Sequence, residues 1–116
     1  MATYKQKFSL DVRRYQSSKV LNKYPDKIPI ICEKSHTNVD LPNLDRQKYL
    51  VPKTLTLGDL ICVIKKKINL NYYDAIFLSI NDKILPGYSI IGNIYDCEKD
   101  SDGMLYIQYN KENAFG

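Results

Sequence analysis

Ile28-Pro29-Ile30-Ile31-Cys32-Glu33-Lys34 and Lys48-Tyr49-Leu50-Val51-Pro52 are two short apolar runs, each interrupted by proline. Their β-branched and aromatic content suits strands, yet proline cannot donate a hydrogen bond to a sheet ladder. A proline at the end of the second run predicts a strand at the rim of a sheet. An exposed rim is a liability unless something uses it. This one carries apolar side chains on both faces and is flanked by Arg46, Lys48 and Lys53. That combination suits a surface that accepts an extended peptide as an added strand.

Upstream, Phe8, Val12, Tyr15, Val20 and Leu21 fall roughly at helical spacing among Lys and Arg, which predicts helix over residues 4–24, stopped by Pro25. Downstream, Thr56 and Asp59 fit a capping box with aspartate in place of the usual glutamate. Leu57, Leu60, Ile61, Ile64 and Ile68 then form one apolar stripe, and Lys65, Lys66 and Lys67 close the helix where cations oppose its dipole. Ala75 to Ile80 reads as a third strand, Asn81-Asp82 as a turn and Ile90 to Tyr95 as a short helix. Met104-Leu105-Tyr106-Ile107-Gln108-Tyr109 is nearly continuous in apolar residues, as a strand at the centre of a sheet requires. This element order is that of an α+β, ubiquitin-like β-grasp fold with a four-stranded mixed sheet. The expected organisation is an N-terminal helical extension over 1–27, a core over 28–110 and a flexible tail over 111–116.

The chain has 116 residues, 44% of them hydrophobic and 26% charged, which predicts one ordinary globular domain. No apolar stretch reaches the length of a membrane span, and Lys5, Lys7, Arg13 and Arg14 break up any signal-peptide core, so an intracellular protein is expected. Cys32, Cys62 and Cys97 are odd in number and widely spaced, forming neither a disulfide framework nor a zinc pattern. The formal charge of +4 is uneven, because residues 1–27 hold seven Lys or Arg against Asp11 and Asp26, a net +5. That segment is either a solvated helix surface or a docking face for acidic peptides or anionic lipid. Nucleic acid is not an expected partner, since no stacking or groove-reading motif accompanies the basic residues.

Little in the sequence points to catalysis. His36, the single histidine, lies in a polar loop, and glycine-rich loops and carboxylate–histidine clusters are absent, so no enzyme and no catalytic residue are expected. Cys32 and Cys62 read as small core residues. Glu98, Asp100, Asp102 and Gly103 resemble the start of a calcium loop, but Tyr109 stands where a bidentate glutamate belongs, and the cluster reads as a solvated turn; no metal and no cofactor are expected. The final Asn110-Lys111-Glu112-Asn113-Ala114-Phe115-Gly116 has nothing that can bury itself. A glycine carboxylate on such a tail is sterically free to be adenylated and passed to a thiol and then an amine.

Taken together, the runs at 28–34 and 48–52, Asp102-Gly103-Met104-Leu105-Tyr106 and the ending Glu112-Asn113-Ala114-Phe115-Gly116 resemble the autophagy-related protein 8 family of ubiquitin-like modifiers, which includes microtubule-associated protein light chain 3 and the GABA-receptor-associated protein. The resemblance runs the whole length and implies two N-terminal helices ahead of the β-grasp core. It implies that Gly116 is activated and conjugated by ubiquitin-type enzymes to phosphatidylethanolamine, a covalent modification rather than a cofactor. It further implies a processing and deconjugating cysteine protease that recognises Phe115-Gly116, with this chain either processed or encoded with its glycine exposed. The expected locations are the cytoplasm and, once lipidated, autophagosomal or other organelle membranes.

The resemblance also implies recognition of cargo receptors and autophagy factors through acidic aromatic-x-x-aliphatic motifs. By position, Val20, Pro29, Ile31, Lys48, Leu50 and Met104 would line an aromatic pocket. Tyr49, Val51, Pro52, Leu55, Leu60 and Val63 would line an aliphatic one, and Lys27, Arg46, Lys48 and Lys67 would meet the acidic flank. Several departures from the family pattern accompany it: Met104 for phenylalanine, Gln16 for glutamate, Asn71-Tyr72-Tyr73 for a proline-containing turn, Ser79 for a second phenylalanine, and one extra residue between Ser35 and Asp40. The competing reading is a non-conjugated domain of the same fold that binds peptides or the cytoskeleton.

Overall fold

A computed structural model describes residues 2–36, 41–70 and 74–112. The expected tail residues Phe115 and Gly116, the turn at Asn71-Tyr72-Tyr73 and most of the loop between Ser35 and Asp40 lie outside these. The order is α1 (Tyr4–Lys7), α2 (Leu10–Lys23), β1 (Lys27–Lys34), β2 (Lys48–Pro52), α3 (Leu57–Lys67), β3 (Ile76–Ile80), β4 (Lys83–Ile84), α4 (Ile91–Glu98) and β5 (Leu105–Lys111). The sheet runs β2-β1-β5-β3-β4, with β1 and β5 parallel and the other neighbours antiparallel.

Among the described residues the sheet has five strands, not the expected four. The addition is β4, two residues paired with β3 across Asn81 and Asp82. Both turn residues have positive φ, 51° and 64°, as a two-residue hairpin turn that matches strand twist requires. The turn was legible in the sequence, but two residues give no periodicity from which to read a strand. β5 lies centrally between β1 and β3, and Leu105, Ile107 and Tyr109 are buried there. It includes Lys111, and the Glu112 amide donates to the Ala75 carbonyl at 2.8 Å, so ordered backbone extends past 110.

The expected α3 stripe is the core face: Leu57, Leu60, Ile64 and Ile68 are buried with Ile28, Ile30 and Ile107. Thr56 and Asp59 make both halves of the capping box. At the other end Asn69, at φ 56°, donates to Lys66 O and Leu70 to Lys65 O, a Schellman closure with asparagine in the left-handed position.

Residues 4–24 form two helices rather than one continuous pattern, because Ser9 accepts from the Val12 amide and starts a second helix. The apolar spacing there does not mark a buried face. Val12 and Tyr15 are exposed, 42% and 67%, while the one buried α2 residue is Ser17. What holds α2 is polar. Arg13 pairs with Asp102 at 2.7 Å, and the Ser17 hydroxyl donates to the Asp102 carbonyl at 2.5 Å. Asp102 also accepts from the Tyr106 hydroxyl and the Met104 amide and is 1% exposed. The acidic cluster is therefore not simply a solvated turn: its third member is the buried anchor of the helical extension. Burial and the bond to Asp102 raise the Tyr106 hydroxyl above its ordinary pKa.

Candidate peptide-docking edge

Among the described residues β2 pairs only with β1, in the register Lys27↔Pro52 to Ile31↔Lys48. Flanking bonds fix which backbone groups are used: Cys32 N donates to Gln47 O at 2.8 Å and Lys53 N to Asp26 O at 3.1 Å. Because antiparallel partners alternate between bonded and non-bonded pairs, residues 47, 49, 51 and 53 spend their polar groups on β1. The N–H and C=O of Lys48 and Leu50 point to the open side, while the Pro52 carbonyl accepts from the Leu55 amide at 3.1 Å in the turn that follows. Pro52 thus sits where its missing N–H takes nothing from the β1–β2 ladder, and the sequence can afford it. The opposite end is fastened as well: Gly92 N donates to Lys53 O at 2.9 Å and Ile91 N to Leu55 O at 2.8 Å. A Cβ on Gly92 would stand 3.0 Å from the Lys53 carbonyl, a close approach that favours glycine.

Side-chain alternation sends β2 residues to two faces. Lys48 and Leu50 share the face of Pro29 and Ile31, toward α2. There a depression of about 430 Å³ is lined by Val20, Pro29, Arg46, Lys48, Tyr49 and Leu50. Four residues expected for the aromatic pocket line it, together with Arg46 from the acidic-flank set and Tyr49 from the aliphatic set. Ile31 and Met104 do not reach it. Both are fully buried in a small second cluster with Tyr4, packed by Phe8 and Tyr106, because α1 lies over them.

On the other face, Tyr49, Val51 and Leu55 are half-buried against the main core, Leu60 is buried and Val63 is 40% exposed. Pro52, assigned with these, belongs by parity with Leu50. Burial first, then the negative charge of Asp45, pushes the Tyr49 hydroxyl up to about 12. That hydroxyl is buried with no hydrogen-bond partner among the described residues. Cations stand on both sides of the strand: Arg46 and Lys48 are exposed at its start, Lys67 lies over the Tyr49 ring at 5.2 Å, and Lys27 over the Tyr24 ring at 5.7 Å.

Cys32 is buried in the core, and burial, then Glu33, pushes it up to about 12. Cys62, expected in the core, is exposed because it falls off the α3 stripe. Among the described residues no group of three or more His, Cys, Asp or Glu could hold a metal ion, and no helix is long and apolar enough to cross a membrane.

Sequence reading missed Asp102 as a structural anchor and, with it, the Arg13 and Ser17 contacts that seat α2 and so place Val20 at the depression. The available signal was Asp102-Gly103: Gly103 has φ 86°, and a Cβ there would meet the Ser17 hydroxyl at 2.5 Å.

The profile of the family described as "Autophagy protein Atg8 ubiquitin like" matches residues 12–116. The chain is 41% identical over 115 residues to autophagy-related protein 8c of Arabidopsis thaliana, covering 99% of this chain and 96% of that one. It is 39% identical over 115 residues to autophagy-related protein 8 of Kluyveromyces lactis, covering 99% and 92%. The crystal structure of Trypanosoma brucei ATG8 superposes with a TM-score of 0.90 at 40% identity, covering 100% and 99% of the two chains.

Proposed function

The chain belongs to the autophagy Atg8 family of ubiquitin-like proteins, and from that premise we propose that it is a modifier and scaffold rather than an enzyme. In this reading Gly116 is activated, carried by a conjugating enzyme and joined by an amide bond to phosphatidylethanolamine. Phe115 is recognised by the processing and deconjugating protease. The protein moves from the cytoplasm to autophagosomal or related membranes and there collects cargo receptors and autophagy factors.

The observation that carries the binding half is the open edge of β2, with an apolar depression beside it and cations around it. An extended peptide pairs with Lys48 and Leu50, sets its aromatic residue against Val20, Pro29 and Leu50, and sets its aliphatic residue against Val51, Leu55 and Val63. Acidic residues ahead of the aromatic meet Arg46 and Lys48. Burying two such anchors contributes ~3–6 kcal/mol, and ordering the peptide subtracts from it. Affinity is then roughly micromolar, suited to many copies on one membrane.

Two experiments test the two halves. In a reconstituted conjugation reaction, Gly116→Ala abolishes attachment to phosphatidylethanolamine and leaves the fold intact; continued attachment would refute the role of Gly116. In a titration with an acidic aromatic-x-x-aliphatic peptide, replacing Arg46 and Lys48 with alanine weakens binding, more so at low salt. Unchanged affinity at low and physiological salt would remove the docking assignment.

A further inference from the structure

The last turn of α3 carries Lys65, Lys66 and Lys67 in succession. A lysine on a helix usually finds its partner four residues earlier, but those positions are Ile61, Cys62 and Val63. Among the described residues none of the three ammonium groups pairs with a carboxylate, and Lys66 and Lys67 are exposed. Capping does not require them, because the Asn69 and Leu70 amides already bond the Lys66 and Lys65 carbonyls. The topology puts this turn near the end of β5. α3 starts just beyond Pro52, which pairs with Lys27 at the beginning of β1. β5 runs parallel to β1, so it ends at the opposite pole. There Lys111 pairs with Ile76, Glu112 donates to Ala75, and Ile76 shares one core cluster with Ile68 from the end of α3. Residues 113–116 span at most about 14 Å.

Resting on the reading that Gly116 is joined to phosphatidylethanolamine, we propose that Lys65, Lys66 and Lys67 hold the conjugated protein against anionic headgroups of the same bilayer. A tether of about 14 Å keeps this pole close to the lipid, and surface potential acts over about 8 Å at physiological salt. Each lysine within that layer adds attraction. The tether alone leaves the body free to tumble, and the lysines give it a direction. At the opposite pole Asp59, in the first turn of α3, and Asp96 of α4 are exposed, so turning the body over would bring acids to a negative surface. A bilayer is favoured over an acidic protein because the tether presents this surface to lipid at high effective concentration.

The test uses the full chain with the Gly116 carboxylate coupled chemically to tetradecylamine. A single acyl-length chain gives only weak, reversible partition, so a second attraction becomes measurable. Co-sedimentation compares phosphatidylcholine vesicles with and without about 30 mole per cent phosphatidylserine. Phosphatidylserine should raise the partition coefficient at least about tenfold at low salt, and high salt should remove the gain. Replacing Lys65, Lys66 and Lys67 together with glutamine should reduce the gain to about threefold or less. The charge-matched replacement of Lys53, Lys83 and Lys99, at the opposite pole, should preserve it. Thermal midpoints should stay close to wild type in both variants. Equal partition into both kinds of vesicle, or equal losses in the two variants, would overturn the proposal. So would a Lys65, Lys66 and Lys67 variant that keeps the gain but is conjugated poorly on neutral vesicles, since the surface would then serve an acidic face of an enzyme. The coupling needs no enzyme, so absence of the phosphatidylserine gain refutes the orientation alone, whereas continued enzymatic conjugation of Gly116→Ala refutes the role of Gly116.

Discussion

The sheet has two margins, and they are built differently. β2 offers five residues, with outward backbone groups at Lys48 and Leu50, an apolar depression on one side and exposed cations at its start. β4 offers two residues beyond a tight turn, and its Lys83 is tied to Glu98 at 2.6 Å while Asn81 holds the same carboxylate at 2.6 Å. A short, charged, pinned strand is how an edge is protected from unwanted pairing. The same chain closes one edge and leaves the other open, so the openness of β2 is a property of its residues and not of the fold's size.

The sharpest way to break this comparison is to put proline at adjacent positions of β2. Tyr49→Pro removes an N–H that serves the β1 ladder and a ring packed on the core, and should cost on the order of 3–5 kcal/mol of stability in chemical denaturation. Lys48→Pro removes an N–H that faces outward, so the denaturation midpoint should move little while affinity for a motif peptide falls roughly tenfold. Equal destabilisation by both would mean that the assigned ladder is wrong.

Next in size is the anchor that seats the α2 wall of the depression. Asp102→Ala leaves Arg13, whose side chain is 11% exposed, without its partner and should cost about 3 kcal/mol. Peptide affinity should fall with it as Val20 loses its place; loss of stability with unchanged affinity would separate the wall from the site. Leu50→Ala should weaken peptide binding about five- to tenfold by calorimetry, with a smaller effect on folding, because the side chain is only half-buried. At the closed margin, Lys83→Ala should leave peptide affinity unchanged.

The smallest effect concerns pH. Partial burial works to raise the Asp100 pKa, but bonds from Lys5 and the Asp102 amide outweigh it and hold Asp100 below its ordinary value. A depressed carboxylate adds stability above its unfolded value near 4, and loses it as pH falls through the lower folded one. Exchange of the α1 amides should therefore quicken below about pH 4, before the core opens, and Lys5→Ala should remove that step.

The two sides of the sheet also differ in how well the sequence discloses them. On the α3 side, the stripe Leu57, Leu60, Ile64 and Ile68 and the alternation in β5 announce a core directly, and the capping box at Thr56 and Asp59 marks where the helix begins. Proline in Lys48–Pro52 revealed the rim. On the α2 side, burial rests on Arg13, Ser17 and Asp102, polar residues whose pairing joins positions 89 apart in sequence, and no local periodicity reports it. The apolar residues that suggested a buried helix face, Val12 and Tyr15, point to solvent instead. The site shows the same division. Val20, Pro29, Lys48 and Leu50 meet at one depression, while Ile31 and Met104 are sealed under α1, a four-residue helix too short to betray itself by pattern.

Amide hydrogen exchange at single-residue resolution, with and without a saturating acidic aromatic-x-x-aliphatic peptide, tests most directly whether β2 is an open edge. Free protein should show fast exchange at Lys48 and Leu50 and slow exchange at Tyr49 and Val51; the peptide should then slow Lys48 and Leu50 selectively. Slow exchange at all four amides in the free protein, or a saturating peptide that leaves Lys48 and Leu50 fast, would contradict it.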